Sequence, residues 1–244
     1  MTLHVVATTN VGHVRSSNED HAVVGADTLT GPEGRHDVRV DLPVLLAVMD
    51  GMGGHPAGDV ASGLVADGLA GVDPAAITAP ADVAMLVDAL DRELAQHMER
   101  HPETATMGTT LVAAAVHAAD TALVFAVGDS LALWWADDDL RAVFPPDRAA
   151  WGGITQVLGG SHSSAQVDDP DDDRLSPHVV EVVGPGRLVL SSDGLTDMLG
   201  AEALAEVLAV EDLGRCADGL VTAALDAGGQ DNVTLVAIDL DGPT

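Results

Sequence analysis

The chain has 244 residues and a formal net charge of −29 at pH 7, from 39 acidic and 10 basic side chains, and every basic residue is an arginine. A surface this acidic repels the phosphates of nucleic acids and of anionic lipids. We therefore expect neither nucleic acid nor membrane as a partner. The length fits one large domain or two small ones. No long linker or internal repeat divides the chain, so we expect one domain, residues 1–244, whose core is built mainly from Val, Leu and Ala, because the chain has two Phe, three Trp and no Tyr.

Two features bear on the expected location. The first ten residues lack the basic and the long apolar regions of a signal peptide. The most apolar region, residues 109–135, is interrupted by His117, Asp120 and Asp129, which is atypical of a membrane span. We therefore expect a cytoplasmic protein.

The predicted elements form separate groups of strands and helices. Strands are predicted at residues 3–9, 21–24 and 38–49, and helices at residues 56–72 and 81–100. Further strands follow at residues 109–116, 121–127, 131–135 and 140–143. After an acidic loop at residues 165–177 come strands at 179–183 and 188–191, a helical stretch at 201–227 and a last strand at 233–240. This grouping predicts an α+β sandwich rather than a series of βαβ units.

Acidic residues lie at the ends of four predicted strands: Asp50, Asp129, Asp193 and Asp231. If these ends meet at one edge of the sandwich, the carboxylates repel one another unless cations neutralise them. Mg²⁺ and Mn²⁺ are suited to this because they prefer oxygen ligands. Asp-Gly is also an ordinary turn sequence, and the chain contains five such pairs, so a single pair is weak support for a metal site.

Seven short sequences resemble, in the same order, the motifs of bacterial metal-dependent protein phosphatases of type 2C. They are residues 15–20 (RSSNED), 48–55 (VMDGMGGH), 107–110 (MGTT), 127–130 (VGDS), 154–159 (ITQVLG), 191–195 (SSDGL) and 231–234 (DNVT). The resemblance covers nearly the whole chain. It implies a four-layer αββα sandwich with two central, mainly antiparallel sheets, and a serine/threonine protein phosphatase.

The resemblance also implies a role for each motif residue. Asp50 would bridge two Mn²⁺ or Mg²⁺ ions, with the Gly51 carbonyl on one of them, while Asp193 and Asp231 would hold the other. Glu19 would act at the edge of this centre through bound water. A water or hydroxide that bridges the ions would then attack phosphorus directly.

Two more residues receive a role with an alternative. Arg15 would clamp the phosphate, because its planar fork can bind two phosphate oxygens; on spacing alone it could be a surface arginine paired with Glu19. Asp129 would help Asp193 hold a weaker third ion, or would bond backbone amides in a tight turn. We expect His55 to order its loop or cap the next helix rather than to act as a general acid.

The chain departs from the family pattern at two places. Leu131 stands where relatives commonly carry Arg, and only 23 residues separate Ser130 from Ile154. Relatives place a longer flap segment there, so we predict a shortened flap and a more open cleft. We expect at least one of Trp134, Trp135 and Trp151 to be buried.

The expected partner is a phosphoserine or phosphothreonine protein. Because the surface is acidic, basic residues beside the phosphorylated residue should favour binding. A cognate bacterial protein kinase is implied by the resemblance alone. The alternative is a catalytically weak phosphatase-fold protein with a binding or regulatory role; against it, Arg15, Asp50, Asp193 and Asp231 are all present.

Overall fold

The computed structural model describes residues 1–53, 57–160 and 175–242, in which two β-sheets lie face to face between two layers of helices. The first sheet contains β1 (Thr2–Asn10), β4 (Glu33–Asp41), β9 (Leu131–Ala136), β10 (Asp139–Ala142), β12 (Gly186–Ser191) and β13 (Val233–Leu240). Their order across the sheet is β10-β9-β12-β13-β1-β4.

The second sheet contains β2 (Asp20–Val24), β3 (Asp27–Leu29), β5 (Val44–Met52), β7 (Leu111–Ala118), β8 (Thr121–Val127) and β11 (His178–Val183). Their order is β11-β8-β7-β5-β2-β3, and the short strand β6 (Gly108–Thr109) pairs beside β5. Every strand pairing within the described residues is antiparallel.

The helices α1 (Ala57–Ala70) and α2 (Pro80–Arg100) cover the second sheet, and α4 (Ala201–Leu208) and α5 (Leu213–Asp226) cover the first. A short helix α3 (Asp193–Thr196) follows β12. In the part of the chain that the structure describes, no helix is long and apolar enough to cross a membrane. The predicted αββα sandwich is confirmed.

Strand β5 shows why its sequence is continuously apolar. Leu46 and Val48 pack between the two sheets, whereas Leu45 and Ala47 pack against the helices. Successive side chains of a strand point to opposite faces, so a strand buried on both faces needs apolar residues at every position. The polar residues that follow in β5 are therefore the ones free to form a site at the end of the sandwich.

Two predicted elements were wrong in their extent. The run at residues 38–49 is divided at Leu42-Pro43, and its parts, β4 and β5, belong to different sheets. Proline lacks an N–H group for the ladder, which favours a strand end at this point. The helical stretch at 201–227 is two helices, and the Asp212 side chain caps the second by accepting from the Arg215 N–H at 2.8 Å.

The segment that connects β10 and β11 carries the predicted shortened flap. Among its described residues, 143–160 and 175–177, the structure has turns and two isolated bridges but no helix. Of the three tryptophans, Trp134 is buried as expected for at least one of them, and Trp151 is 82% exposed. The reduction of the flap relative to the family that the motifs resemble stays a prediction. His55 and the acidic loop from residue 165 to 174 lie outside the described residues.

Candidate active site

An acidic cavity of about 410 Å³ opens at one end of the sandwich. All seven residues predicted to bind metal or phosphate line it: Arg15, Glu19, Asp50, Gly51, Asp129, Asp193 and Asp231. The structure therefore brings together residues that are up to 216 positions apart in the chain. Their individual roles stay predictions.

The antiparallel pairing explains this convergence. β12 ends beside the beginning of β13, with Ser191 opposite Leu235, so Asp193 after one strand lies near Asp231 before the other. In the second sheet, Asp50 is directly opposite Asp20. Strand ends that meet at the same edge thus supply carboxylates from both sheets.

The glycine after each of two aspartates is required by close packing. A Cβ atom on Gly51 would lie 2.2 Å from the Gly58 carbonyl oxygen of α1, and one on Gly194 would lie 1.9 Å from the Asn232 carbonyl oxygen. These distances are far shorter than van der Waals contact. The Asp-Gly pairs at the cavity are therefore sites of close backbone approach rather than ordinary hairpin turns.

Asn232 fixes the loop that carries Arg15 and Glu19. Its amide donates to the carbonyl oxygens of Val11 and Ser17, each at 3.0 Å, and its side-chain oxygen accepts from the Glu19 N–H at 2.9 Å. The resemblance included Asn232 in a motif, but it did not assign this residue a role. A single side chain thus links β13 to the loop at the cavity mouth.

The carboxylates strongly perturb one another. Burial, followed by repulsion from Asp20, Asp193 and other carboxylates, raises the pKa of Asp50 well above its ordinary value. Burial followed by the charges of Asp129 and Asp197 raises the pKa of Asp193 to about 6. A cluster with these pKa values favours the arrival of positive charge.

Asp20 lies beneath this cluster and is fully buried. Ser192 Oγ donates to Asp20 Oδ2 at 2.8 Å, while Oδ1 has no hydrogen-bond partner among the described residues. Burial is the main cause that raises the pKa of Asp20 to about 7. A buried carboxylate oxygen without a partner is costly, so Asp20 adds to the demand for a cation nearby.

Two arginines place positive charge among these carboxylates. Arg15 Nη2 lies 2.6 Å from Asp231 Oδ2, and 57% of the Arg15 side chain is exposed. Arg148 donates to Asp129, Asp193 and Asp197. Arg148 and Asp197 were not predicted; the available signal was a basic residue in the short segment between two motifs.

The donor set fits divalent metal ions. The cavity presents carboxylate oxygens and the region of the Gly51 carbonyl, which are the hard ligands that Mg²⁺ and Mn²⁺ prefer. Within residues 1–53, 57–160 and 175–242, no three acidic, His or Cys side chains converge tightly enough to hold one ion by themselves. Mg²⁺ keeps several waters and is usually bound by one or two protein carboxylates, so an ion held by three of them would require these side chains to draw closer together.

The chain matches one known protein family over most of its length. The family described as protein phosphatase 2C matches residues 33–219, well over half of the chain. The chain belongs to the protein phosphatase 2C family. The matched range excludes Arg15, Glu19 and Asp231, but similarity to individual members extends over these residues.

Two members of the 2C family illustrate that similarity. The serine/threonine protein phosphatase PstP of Mycobacterium tuberculosis is 32% identical over 98% of this chain, and the chain spans about half (45%) of the length of that relative. The serine/threonine phosphatase stp of Listeria innocua is 27% identical over 97% of this chain and 96% of its own length.

Solved structures of the 2C family agree with the fold. The crystal structure of the M. tuberculosis phosphatase PstP/Ppp superposes with a TM-score of 0.78 at 28% identity, covering 99% of this chain and 100% of that one. The catalytic domain of PstP in complex with two manganese ions gives a TM-score of 0.75 at 29% identity, with coverage of 99% and 100%. The sandwich and its antiparallel sheets are thus those of a 2C phosphatase.

Proposed function

We propose that this chain is a metal-dependent serine/threonine protein phosphatase that hydrolyses phosphomonoesters with the help of two Mn²⁺ or Mg²⁺ ions. The observation that carries the proposal is the single cavity in which all seven predicted residues meet. Membership of the 2C family supports the reaction class. The manganese ions in the PstP catalytic domain support the choice of metal.

Asp50 would have the central role, because it pairs with Asp20 and the charges of Asp193, Asp231 and Asp129 also act on it. We assign Asp50 to both ions, the Gly51 carbonyl to one, and Asp193 and Asp231 to the other. Glu19 would act at the edge through water. When bound, two divalent ions supply Lewis acidity, which lowers the pKa of water and neutralises phosphoryl oxygens.

Arg15 would orient the phosphate at the cavity mouth. Its guanidinium is largely exposed and lies beside Asp231, so a phosphate bound to it would also be adjacent to the metal-binding carboxylates. A guanidinium can hold two phosphate oxygens at once, which fixes the direction of the phosphorus–oxygen bond to be broken. Lysine offers a point charge without this geometry.

The substrate we propose is a phosphoserine or phosphothreonine segment with basic flanking residues. The net charge of −29 repels a phosphate dianion at long range, and positive side chains beside it would offset that repulsion. Peptides with added arginines should therefore show a higher kcat/KM at low salt, and the advantage should shrink as salt increases. Equal kcat/KM with and without the arginines would contradict this preference. The cognate bacterial kinase and the cytoplasmic location stay predictions.

The function is tested by phosphate release from a phosphothreonine peptide and from p-nitrophenyl phosphate. We expect turnover with Mn²⁺, none with EDTA, and a loss of at least about 100-fold in Asp193→Asn, because that residue would hold an ion at the reacting phosphate. Asp226→Asn makes the same charge change at an exposed position on α5 and should leave turnover unchanged. Folded, Mn²⁺-binding protein without turnover on either substrate would favour the alternative, a phosphatase-fold binding protein.

A further inference from the structure

Arg148 binds two of the carboxylates that line the acidic cavity. Its Nε lies 2.7 Å from Asp129 Oδ2, and its Nη2 lies 2.9 Å from Asp193 Oδ2. Nη1 and Nη2 of Arg148 also donate to the two carboxylate oxygens of Asp197, each at 3.1 Å. One guanidinium therefore joins the carboxylate pair that would otherwise hold a third ion.

The surrounding chain is built to hold Arg148 in this position. The neighbouring Asp147 is buried, and its Oδ2 accepts from the Gly128 N–H at 3.0 Å. The Asp147 N–H in turn donates to the Gly128 carbonyl at 2.9 Å. His178 Nε2 lies 3.0 Å from the other carboxylate oxygen of Asp147.

These contacts tie the segment of Arg148 to the turn that carries Asp129. The hydrogen bonds between the neighbouring residues Asp147 and Gly128 keep the backbones of Arg148 and Asp129 within reach of each other. The Asp129 side chain is only 3% exposed, and that of Arg148 is 29% exposed. An ion pair so little exposed is screened weakly by solvent and salt.

We propose that the guanidinium of Arg148 takes the place of the third metal ion, so that this chain holds two ions and not three. The inference rests on the proposed function and changes the role expected for Asp129, which becomes a partner of Arg148. A cation between Asp129 and Asp193 would have to lie where the guanidinium nitrogens lie. A metal ion bound there would lie beside the displaced guanidinium of Arg148, and the two positive charges would repel each other.

Asp193 can serve both partners. A carboxylate has two oxygens, so Oδ2 can accept from Arg148 while Oδ1 binds an ion of the two-metal centre. Arg148 thus acts as a positioning residue: it orients Asp193 and places a fixed positive charge beside the carboxylates of Asp129 and Asp193. The charge is independent of metal concentration, because an arginine keeps its proton.

The test is the number of Mn²⁺ ions bound per chain at saturation, by equilibrium dialysis with elemental analysis and by calorimetry. We expect two in the wild type and in Asp129→Asn. Arg148→Gln should bind a third ion more weakly, and adding Asp129→Asn to it should restore the count of two. Arg148→Lys retains the positive charge and should also bind two. Arg141→Gln, an exposed arginine on β10, is the matched control and should not change the count.

Several results would overturn the proposal. One is a wild type that binds three ions and loses one in Asp129→Asn; another is a folded Arg148→Gln that still binds two. If Arg148→Gln does not fold, the comparison of wild type with Asp129→Asn still decides the question. A wild type that binds no Mn²⁺ would refute the proposed function itself and, with it, the basis of the Arg148 proposal.

Discussion

Removal of divalent metal should make the protein less stable as the pH rises. The pKa of Asp20 is raised from 3.8 to about 7 and that of Asp193 to about 6, mainly by burial. An unfolded chain releases these protons near pH 4, whereas the folded protein retains them to higher pH. The stability that these two groups contribute is therefore fully present below their unfolded-state pKa values and is lost as the pH rises through their folded-state pKa values.

The structure sets the size of this effect. For Asp20, the rise from 3.8 to about 7 corresponds to roughly 4 kcal/mol of lost stability once the group is ionised. The carboxylates raise one another's pKa values, so their contributions do not add. We expect the free energy of unfolding of metal-free protein to fall by roughly 3–5 kcal/mol between about pH 5 and about pH 8.

Urea unfolding in EDTA, followed by tryptophan fluorescence at both pH values, measures the loss. Asp20→Asn keeps the acceptor for Ser192 Oγ but removes the titrating group, so it should flatten the pH dependence by roughly half. Asp226→Asn, an exposed change of the same charge, should leave the slope unchanged. Excess Mn²⁺ at the higher pH should restore the lost stability. Metal-free protein whose stability is constant or rises over this range would contradict this prediction, and so would equal flattening by the two variants.

Three further predictions concern the residues that shape the cavity. Gly51→Ala places a Cβ atom 2.2 Å from the Gly58 carbonyl oxygen, so the end of β5 must move, and kcat/KM should fall at least about 100-fold; unchanged kcat/KM would show that the close packing is not needed. Arg15→Lys should raise KM for a phosphopeptide roughly tenfold and leave Mn²⁺ binding unaltered, as expected for a lost bidentate contact; a change in metal binding with constant KM would reject the phosphate role. Asp147→Asn weakens the bonds to Gly128 and His178 and should reduce the free energy of unfolding by about 1–3 kcal/mol in urea titrations. A difference within error would mean that Asp147 does not brace the turn.

The acidic side of the site could be predicted because its residues follow apolar runs. Asp50 lies in β5 directly after its buried apolar run, and Asp193 comes shortly after the buried strand β12; such apolar runs are clear in the sequence. The pattern alone did not show that their ends meet in space. That expectation came from the order of the seven family-like motifs, and the antiparallel pairing of β12 with β13 gives its physical reason.

Arg148 could not be predicted in the same way. None of the seven family-like motifs includes residue 148, so the resemblance assigns this arginine no role. The position of the guanidinium depends on tertiary contacts of Asp147 with Gly128, which no local pattern records. Pro43 could have predicted that residues 38–49 form two strands, but the apolar residues on both sides of it favoured one continuous strand.

The most direct test of the metal centre is anomalous diffraction at the manganese edge from crystals of the full chain grown with Mn²⁺. We expect two peaks in the acidic cavity, with Asp50 between them and Asp193 and Asp231 beside one of them, and no peak between Asp129 and Asp193. Peaks outside the cavity alone, or none at Mn²⁺ concentrations that support turnover, would contradict the assignment of these carboxylates to the metal ions.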